Sequence, residues 1–134
     1  IEASPETPLA LMGDWNVAPL DQDVWDMRVF EGSTHVSEPE RAAFREFEAR
    51  GLQDVVRPIV PDGYTYWDYK QLRFPRNEGL RIDFILGSSA FADAVTGAAI
   101  HRDQRKGEAP SDHVPVVVDL DLDGDDDDDR PMIF

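Results

Sequence analysis

Residues 79–86 read Gly-Leu-Arg-Ile-Asp-Phe-Ile-Leu and indicate a strand that carries a carboxylate. The short apolar run follows a glycine and is typical of a buried strand over 81–86. Asp83 interrupts this run. Because a buried carboxylate must be paired or bind a cation, we expect Asp83 to belong to a polar site.

More strands and one helix are predicted on either side of this segment. The capping box Ser-Glu-Pro-Glu at 37–40 and the helical spacing of the apolar residues after it predict a helix that ends at Gly51. Runs rich in aromatic or β-branched residues predict strands at 8–12, 54–56, 64–69, 95–101 and 114–122. The sequence therefore predicts an α/β (α+β) layer with many strands.

The composition fits one small domain with an acidic end. The 134 residues are 41% hydrophobic and include no cysteine, which allows one core and excludes a disulfide framework, a thiolate zinc site and a cysteine nucleophile. Eight aspartates between 119 and 130 contribute much of the net charge of -15. We therefore expect a domain at 1–122 and a disordered acidic tail at 123–134.

The net negative charge argues against a nucleic-acid partner, but the charges are unevenly distributed along the chain. An acidic protein is a poor ligand for phosphate, but between 70 and 106 seven basic side chains stand against four acidic ones, so a local basic face can form. An ordinary solvated surface explains the same counts. An acidic mimic of DNA would spread its charges evenly, whereas here they concentrate near the end.

Neither a membrane span nor a signal peptide is expected. No apolar run approaches the roughly 20 residues that cross a bilayer, and the start lacks basic and apolar signal regions. We therefore expect a soluble, cytoplasmic protein.

Carboxylates stand at predicted strand ends. Asp14 is close to Asn16, Asp83 follows Arg81 and Ile82, and Asp112 precedes His113. Each of them could instead form a turn or a helix cap, and the histidine could be a core residue. A carboxylate that orients the imidazole would account for Asp83 and His113 together. Oxygen ligands without cysteine suit a hard cation such as Mg²⁺, and phosphoester hydrolysis is the chemistry that this combination favours.

Four blocks of sequence, in order and spacing, resemble the exodeoxyribonuclease III and abasic-site endonuclease branch of the endonuclease/exonuclease/phosphatase superfamily. They are Gly-Asp-Trp-Asn-Val-Ala-Pro at 13–19, Tyr-Thr-Tyr-Trp-Asp-Tyr at 64–69, the strand at 79–86 and Ser-Asp-His-Val-Pro-Val at 111–116. The resemblance implies one half, the C-terminal one, of a four-layer DNase I-like β-sandwich flanked by helices. It also implies a nuclease dependent on Mg²⁺, or on Mn²⁺, that acts on double-stranded DNA as a 3′ to 5′ exonuclease, an abasic-site endonuclease and a 3′ phosphatase.

The same resemblance implies roles for five residues. Asp14 corresponds to the residue that positions or deprotonates the attacking water, and Asn16 to its hydrogen-bond partner. Asp83 corresponds to the carboxylate that orients the histidine, and His113 to the imidazole on the scissile phosphate. Asp112 corresponds to a carboxylate on the metal side, together with Asp14.

An apolar wall for a sugar that lacks its base is implied as well. Trp67, Leu80 and Tyr66 match this wall, which selects for the absence of a base by being too small to admit one. Core packing is an equally good explanation of Trp67. Arg81 closes the basic run from 70 to 81, which favours a DNA substrate.

The resemblance leaves alternatives open. The blocks match only the later half of the family's domain, and the Asn, Glu and Tyr of its opening half have no counterpart here. A catalytically incomplete fragment and a related phosphodiesterase with a non-DNA substrate therefore remain as alternatives. The terminal residues 131–134, Pro-Met-Ile-Phe, resemble peptides that dock into a replication clamp, against the alternative of an unstructured end. The full-length protein is expected to be monomeric.

Overall fold

The computed structural model describes residues 6–108 and 110–122, apart from the side chain of Gln71. The predicted acidic tail and the segment Pro131 to Phe134 lie outside the described residues. None of the helices within the described ranges has the length and apolar composition needed to cross a membrane.

A three-stranded antiparallel sheet positions the predicted site. Strand β3 (Asp83–Gly87) lies between β1 (Ala10–Asp14) and β2 (Gln53–Asp54). Asp14 is registered opposite Asp83. Two carboxylates that are far apart in sequence therefore stand at the same end of neighbouring strands.

A second sheet consists of two antiparallel strands, β4 (Val95–Ile100) and β5 (Val116–Leu120). Helix α3 (Ser89–Ala94) connects β3 to β4. Side chains of β4 and β5 pack on a cluster that includes Ile85 of β3 and Phe91 of α3. Burial of this apolar surface joins the two sheets.

Helix α2 (Glu38–Ala49) confirms the prediction of a capped helix, and a short helix α1 (Met27–Phe30) precedes it. The Ser37 hydroxyl accepts a hydrogen bond from the Glu40 amide and donates one to its carboxylate. Phe44 is buried and meets the Phe84 ring edge to face at 5.2 Å, which attaches the helix to the three-stranded sheet.

The prediction of a strand at 64–69 is wrong. Tyr66 forms only isolated bridges, one with Leu80 and one with His113, because its backbone is shared between the segments that enter β3 and β5. The chain then turns, since the Asp68 carboxylate accepts a hydrogen bond from the Lys70 amide at the start of a 3-10 helix (Lys70–Leu72).

The other predicted strands are present with shifted ends. The strand predicted at 54–56 ends at Asp54, because the carboxylate of Asp54 accepts hydrogen bonds from the amides of Val56 and Arg57 and turns the chain. The strand predicted at 81–86 begins at Asp83, because the Arg81 amide donates to the carbonyl of Asp23. A local turn thus ends β2, whereas a hydrogen bond to a distant residue sets the start of β3.

Candidate active site

Asp14 ends β1, and the chain turns sharply after it. The Asp14 Oδ1 atom accepts a hydrogen bond of 2.8 Å from the backbone amide of Asn16, whose φ of 56° lies in the left-handed region that asparagine tolerates. Asn16 is exposed, and its side-chain amide makes no hydrogen bond within the described ranges. Asp14 and Asn16 are therefore joined through the backbone amide of Asn16, and the side-chain amide of Asn16 faces solvent.

His113 is held beside these carboxylates by the backbone around it. The Trp67 amide donates to the carbonyl of Asp112 at 3.0 Å, and the Val114 amide donates to the carbonyl of Thr65 at 2.9 Å. These two bonds flank His113 and fix its position against the 64–69 segment.

The imidazole of His113 bridges the two strand-end carboxylates. Its Nδ1 atom lies 2.9 Å from Asp83 Oδ2, and its Nε2 atom lies 3.6 Å from Asp14 Oδ2. The structure therefore brings together Asp14, Asp83 and His113. With Nδ1–H donated to Asp83, Nε2 is left to act on a bound group.

Burial and pairing set the protonation of this group. Burial alone would lower the pKa of His113, but its hydrogen bond to Asp83 and the nearby charges of Asp83, Asp14 and Asp112 raise the pKa above 6.5. Burial raises the pKa of Asp83, while hydrogen bonds from Thr65 and His113 partly oppose the rise. Asp83 is the more buried partner, with 16% of its side chain exposed against 31% for His113, and so loses more hydration.

Thr65 supports the site, although the sequence analysis did not single it out. It is fully buried, and its hydroxyl oxygen accepts hydrogen bonds from the amides of Ile82 at 3.1 Å and Asp83 at 3.2 Å. A hydroxyl between the aromatic residues of 64–69 is the signal that could have identified it, because a buried hydroxyl needs partners.

The exposed carboxylates fit a hard cation. Ligand atoms of Asp14, Asp83 and His113 all lie within 4.8 Å of one another. Asp83 is engaged by the imidazole, whereas the side chains of Asp14 and Asp112 are 42% and 35% exposed. Mg²⁺ commonly takes one or two carboxylates and keeps water for its other positions, which the exposed Asp14 fits. Asp112 Oδ1 lies 4.0 Å from His113 Nε2 but outside this group, so its place on the metal side stays a prediction.

A cavity of about 240 Å³ lies next to Tyr66 and has a lining of mixed polarity that includes Asp68, Arg73 and Glu78. Tyr66 and Leu80 line it, and the Tyr66 ring lies 5.0 Å from that of His113. His35, which the sequence analysis also did not single out, lines it too and holds its Nδ1 atom 2.8 Å from the carbonyl of Asn16. The structure therefore places two of the four residues predicted for the sugar pocket at a cavity beside the site.

The other two predicted pocket residues lie outside this lining. Trp67 is 1% exposed, packs edge to face with Phe74, and donates from Nε1 to the side-chain oxygen of Asn77 at 3.2 Å. Arg81 is also 1% exposed, and its amide donates to the carbonyl of Asp23. Both side chains are buried, and neither lines the cavity.

The proteins that this chain resembles in sequence or in structure include an exodeoxyribonuclease, a 3′ phosphatase and an AP endonuclease. Exodeoxyribonuclease III of Haemophilus influenzae is 33% identical over 127 residues, a match that covers 86% of this chain and 46% of that protein. A 3′ phosphatase from Neisseria, solved bound to a product DNA hairpin, is 40% identical with a TM-score of 0.81 over 85% of this chain and 45% of its own. An AP endonuclease from Archaeoglobus fulgidus is 30% identical with a TM-score of 0.83 over 89% and 48%.

This chain thus spans about half the length of the curated relatives that it matches. The family described as Endonuclease/Exonuclease/phosphatase matches residues 1–113, which contain all the residues gathered around the imidazole. The chain belongs to the endonuclease/exonuclease/phosphatase family.

Proposed function

We propose that this chain carries the histidine and aspartate machinery of a DNA repair nuclease that hydrolyses phosphodiester bonds. The observation that carries the proposal is the imidazole of His113, held between Asp83 and Asp14 at 2.9 and 3.6 Å. Relatives named as exodeoxyribonucleases and as AP endonucleases support DNA as the substrate.

Asp83 and His113 stabilise charge on the phosphate in this proposal. Asp83 accepts a hydrogen bond from Nδ1–H of His113, which fixes the ring's orientation and favours its protonated form. A protonated Nε2 donates to a phosphoryl oxygen as negative charge develops there. Thr65 holds the backbone of Asp83 and prevents the carboxylate from turning away.

Asp14 is the base in this proposal. Its Oδ1 atom is held by the Asn16 amide, while Oδ2 faces Nε2 of the imidazole. A water placed beside Oδ2 would lose a proton to this carboxylate as its oxygen attacks phosphorus. The bond between phosphorus and the leaving sugar oxygen then breaks, and that oxygen takes a proton from solvent. The exposed amide of Asn16 is available to orient that water or the substrate.

Asp14 and Asp112 would hold Mg²⁺, or Mn²⁺, because they are the carboxylates of the site that are not engaged by Nδ1. A cation bound there would supply positive charge to the phosphate oxygens. The residues themselves orient the phosphate and transfer the proton, as described above.

The cavity lined by Tyr66 and Leu80 is proposed to receive a deoxyribose that lacks its base. Its volume of about 240 Å³ suits a small group, and Tyr66 and Leu80 would contact the sugar beside the polar side chains of Asp68, Arg73 and Glu78. The same hydrolytic chemistry would serve 3′ ends and 3′ phosphates.

A second candidate is a chain that binds nucleic acid without cutting it. Within the described residues, the site offers only two exposed carboxylates for a cation, which is a small set for tight binding. This candidate predicts that the 134-residue chain binds a duplex and leaves it intact.

The test is incision of a duplex that contains one abasic site, with Mg²⁺ and the natural full-length protein. His113→Ala and Asp14→Ala should each lower the rate by about a hundredfold or more. Asp93→Asn, an exposed carboxylate on α3, is the matched control and should leave the rate unchanged. Incision at the wild-type rate by either alanine variant would refute the proposal.

A further inference from the structure

Two arginines from one short helix lie over a single aromatic ring. The 3-10 helix Arg102–Lys106 places the guanidinium carbons of Arg102 and Arg105 at 4.2 and 5.4 Å from the centre of the Phe74 ring. Arg102 also donates to the carbonyl of Phe74 at 3.4 Å. Arg102 and Arg105, the arginine pair, thus pack on Phe74, which is about 30 residues away in sequence.

The arginine pair lacks acidic partners among the residues that the structure describes. Neighbouring cations have them, since Lys106 pairs with Asp103 at 3.2 Å and Arg73 pairs with Glu78 at 2.9 Å. The Nε atom of Arg105 is buried and unbonded. In a chain of net charge -15, two adjacent guanidinium groups without a carboxylate form a local excess of positive charge.

Hydrogen bonds and ring contacts connect the arginine pair to the segment that carries His113. Arg105 donates to the carbonyl of Trp67 at 3.3 Å, and the Trp67 amide donates to the carbonyl of Asp112. The Arg105 guanidinium also lies 4.8 Å from the ring centre of Tyr69, whose hydroxyl donates to the carbonyl of Pro110. Two short chains of contacts therefore connect the arginine pair to the residues just before His113.

We propose that Arg102 and Arg105 bind a phosphodiester group of duplex DNA other than the one that is cleaved. Guanidinium groups match the oxygens of a phosphate in shape and charge, and the aromatic support reduces the freedom that each side chain would lose on binding. Lys70 and Arg76, in the same segment as Phe74, have exposed side chains. This inference rests on the proposed function for its substrate class.

The test measures the salt dependence of DNA binding by the natural full-length protein. An undamaged, fluorescein-labelled duplex is titrated in EDTA, which prevents metal-dependent cleavage, over a series of NaCl concentrations. Each phosphate contact contributes about 0.9 to the slope of log K against log [NaCl]. Arg102→Gln should reduce the steepness of the slope by about 1 and weaken binding several-fold at low salt, and Arg102→Lys should restore the slope.

Arg45→Gln is the matched control, because Arg45 is an exposed cation on α2 that is already ion-paired with Glu38. It should leave the slope unchanged. A slope that is the same in wild type and in Arg102→Gln overturns the assignment, even if affinity falls, because that result reports only a disturbed loop. Inorganic phosphate that binds wild type but not Arg102→Gln, with no change in the DNA slope, would overturn it in favour of a free anion.

Hydrolysis is measured separately, so that the two proposals can fail independently. An Arg102-dependent slope in a protein that does not cut DNA would support the arginine pair and contradict the nuclease. Normal cutting with a slope independent of Arg102 would support the proposed nuclease and contradict phosphate binding by the arginine pair. Where both hold, Arg102→Gln should raise KM and leave kcat within about twofold.

Discussion

Replacing Asp83 by Asn tests the central pairing of the site. The substitution keeps the size of the side chain and removes the charge that faces Nδ1 of His113 at 2.9 Å. Two opposite unit charges about 4 Å apart attract by about 4 kcal/mol at an effective dielectric constant of about 20. Because 31% of the imidazole side chain is exposed, we reduce this by about half.

A loss of about 2 kcal/mol in stabilising the protonated imidazole corresponds to a rate lower by about 30-fold. The assay is single-turnover incision of an abasic duplex at saturating protein, with Mg²⁺, by the natural full-length protein. Two-dimensional NMR of the His113 ring should show its pKa falling in Asp83→Asn, because burial then acts with less opposition.

Asp93→Asn again serves as the control for removing one negative charge elsewhere. If Asp83→Asn cuts DNA within about threefold of the wild-type rate and leaves the His113 pKa in place, Asp83 does not act through the imidazole. That outcome would refute the reasoning while leaving the fold intact.

Three other results are expected. Pairing with Asp83 raises the His113 pKa, so the ion pair stabilises the fold fully below pH 6.5 and this stabilisation is lost as pH rises through the raised pKa. The cutting rate should fall over the same pH range, and a pH profile without such a fall would contradict the pairing. Thr65→Val leaves the amides of Ile82 and Asp83 without an acceptor and should cost about 1–3 kcal/mol in urea unfolding, whereas Thr65→Ser should cost less; equal losses would argue against the hydroxyl. EDTA should abolish cutting and Mg²⁺ or Mn²⁺ should restore it, with Asp112→Asn requiring more metal; an unchanged metal requirement would remove Asp112 from the metal site.

The sequence identified the chemical groups because their signals are local. Asp83 stands out as a carboxylate in an apolar strand, and His113 follows Asp112 before a β-branched run, so both attract attention without any structure. Helix α2 could be predicted for the same reason, since the Ser37 cap and the buried Phe44 lie within a few turns.

Properties that depend on distant partners could not be predicted. The sequence does not show that Asp14 would be registered against Asp83 or that the 64–69 segment would not form a strand. Nor does it show that Trp67 and Arg81 would be buried away from the cavity lining. Each depends on hydrogen bonds between residues that only tertiary packing brings together.

The amino-acid sequence by itself determined which functional groups this protein has: carboxylates, three imidazoles and no thiol. The tertiary structure alone decided which of these groups are paired and how the pairing changes their protonation. The protonation of His113 depends on an acceptor 30 positions away, because a pKa is set by charge and burial in space and not by neighbours along the chain.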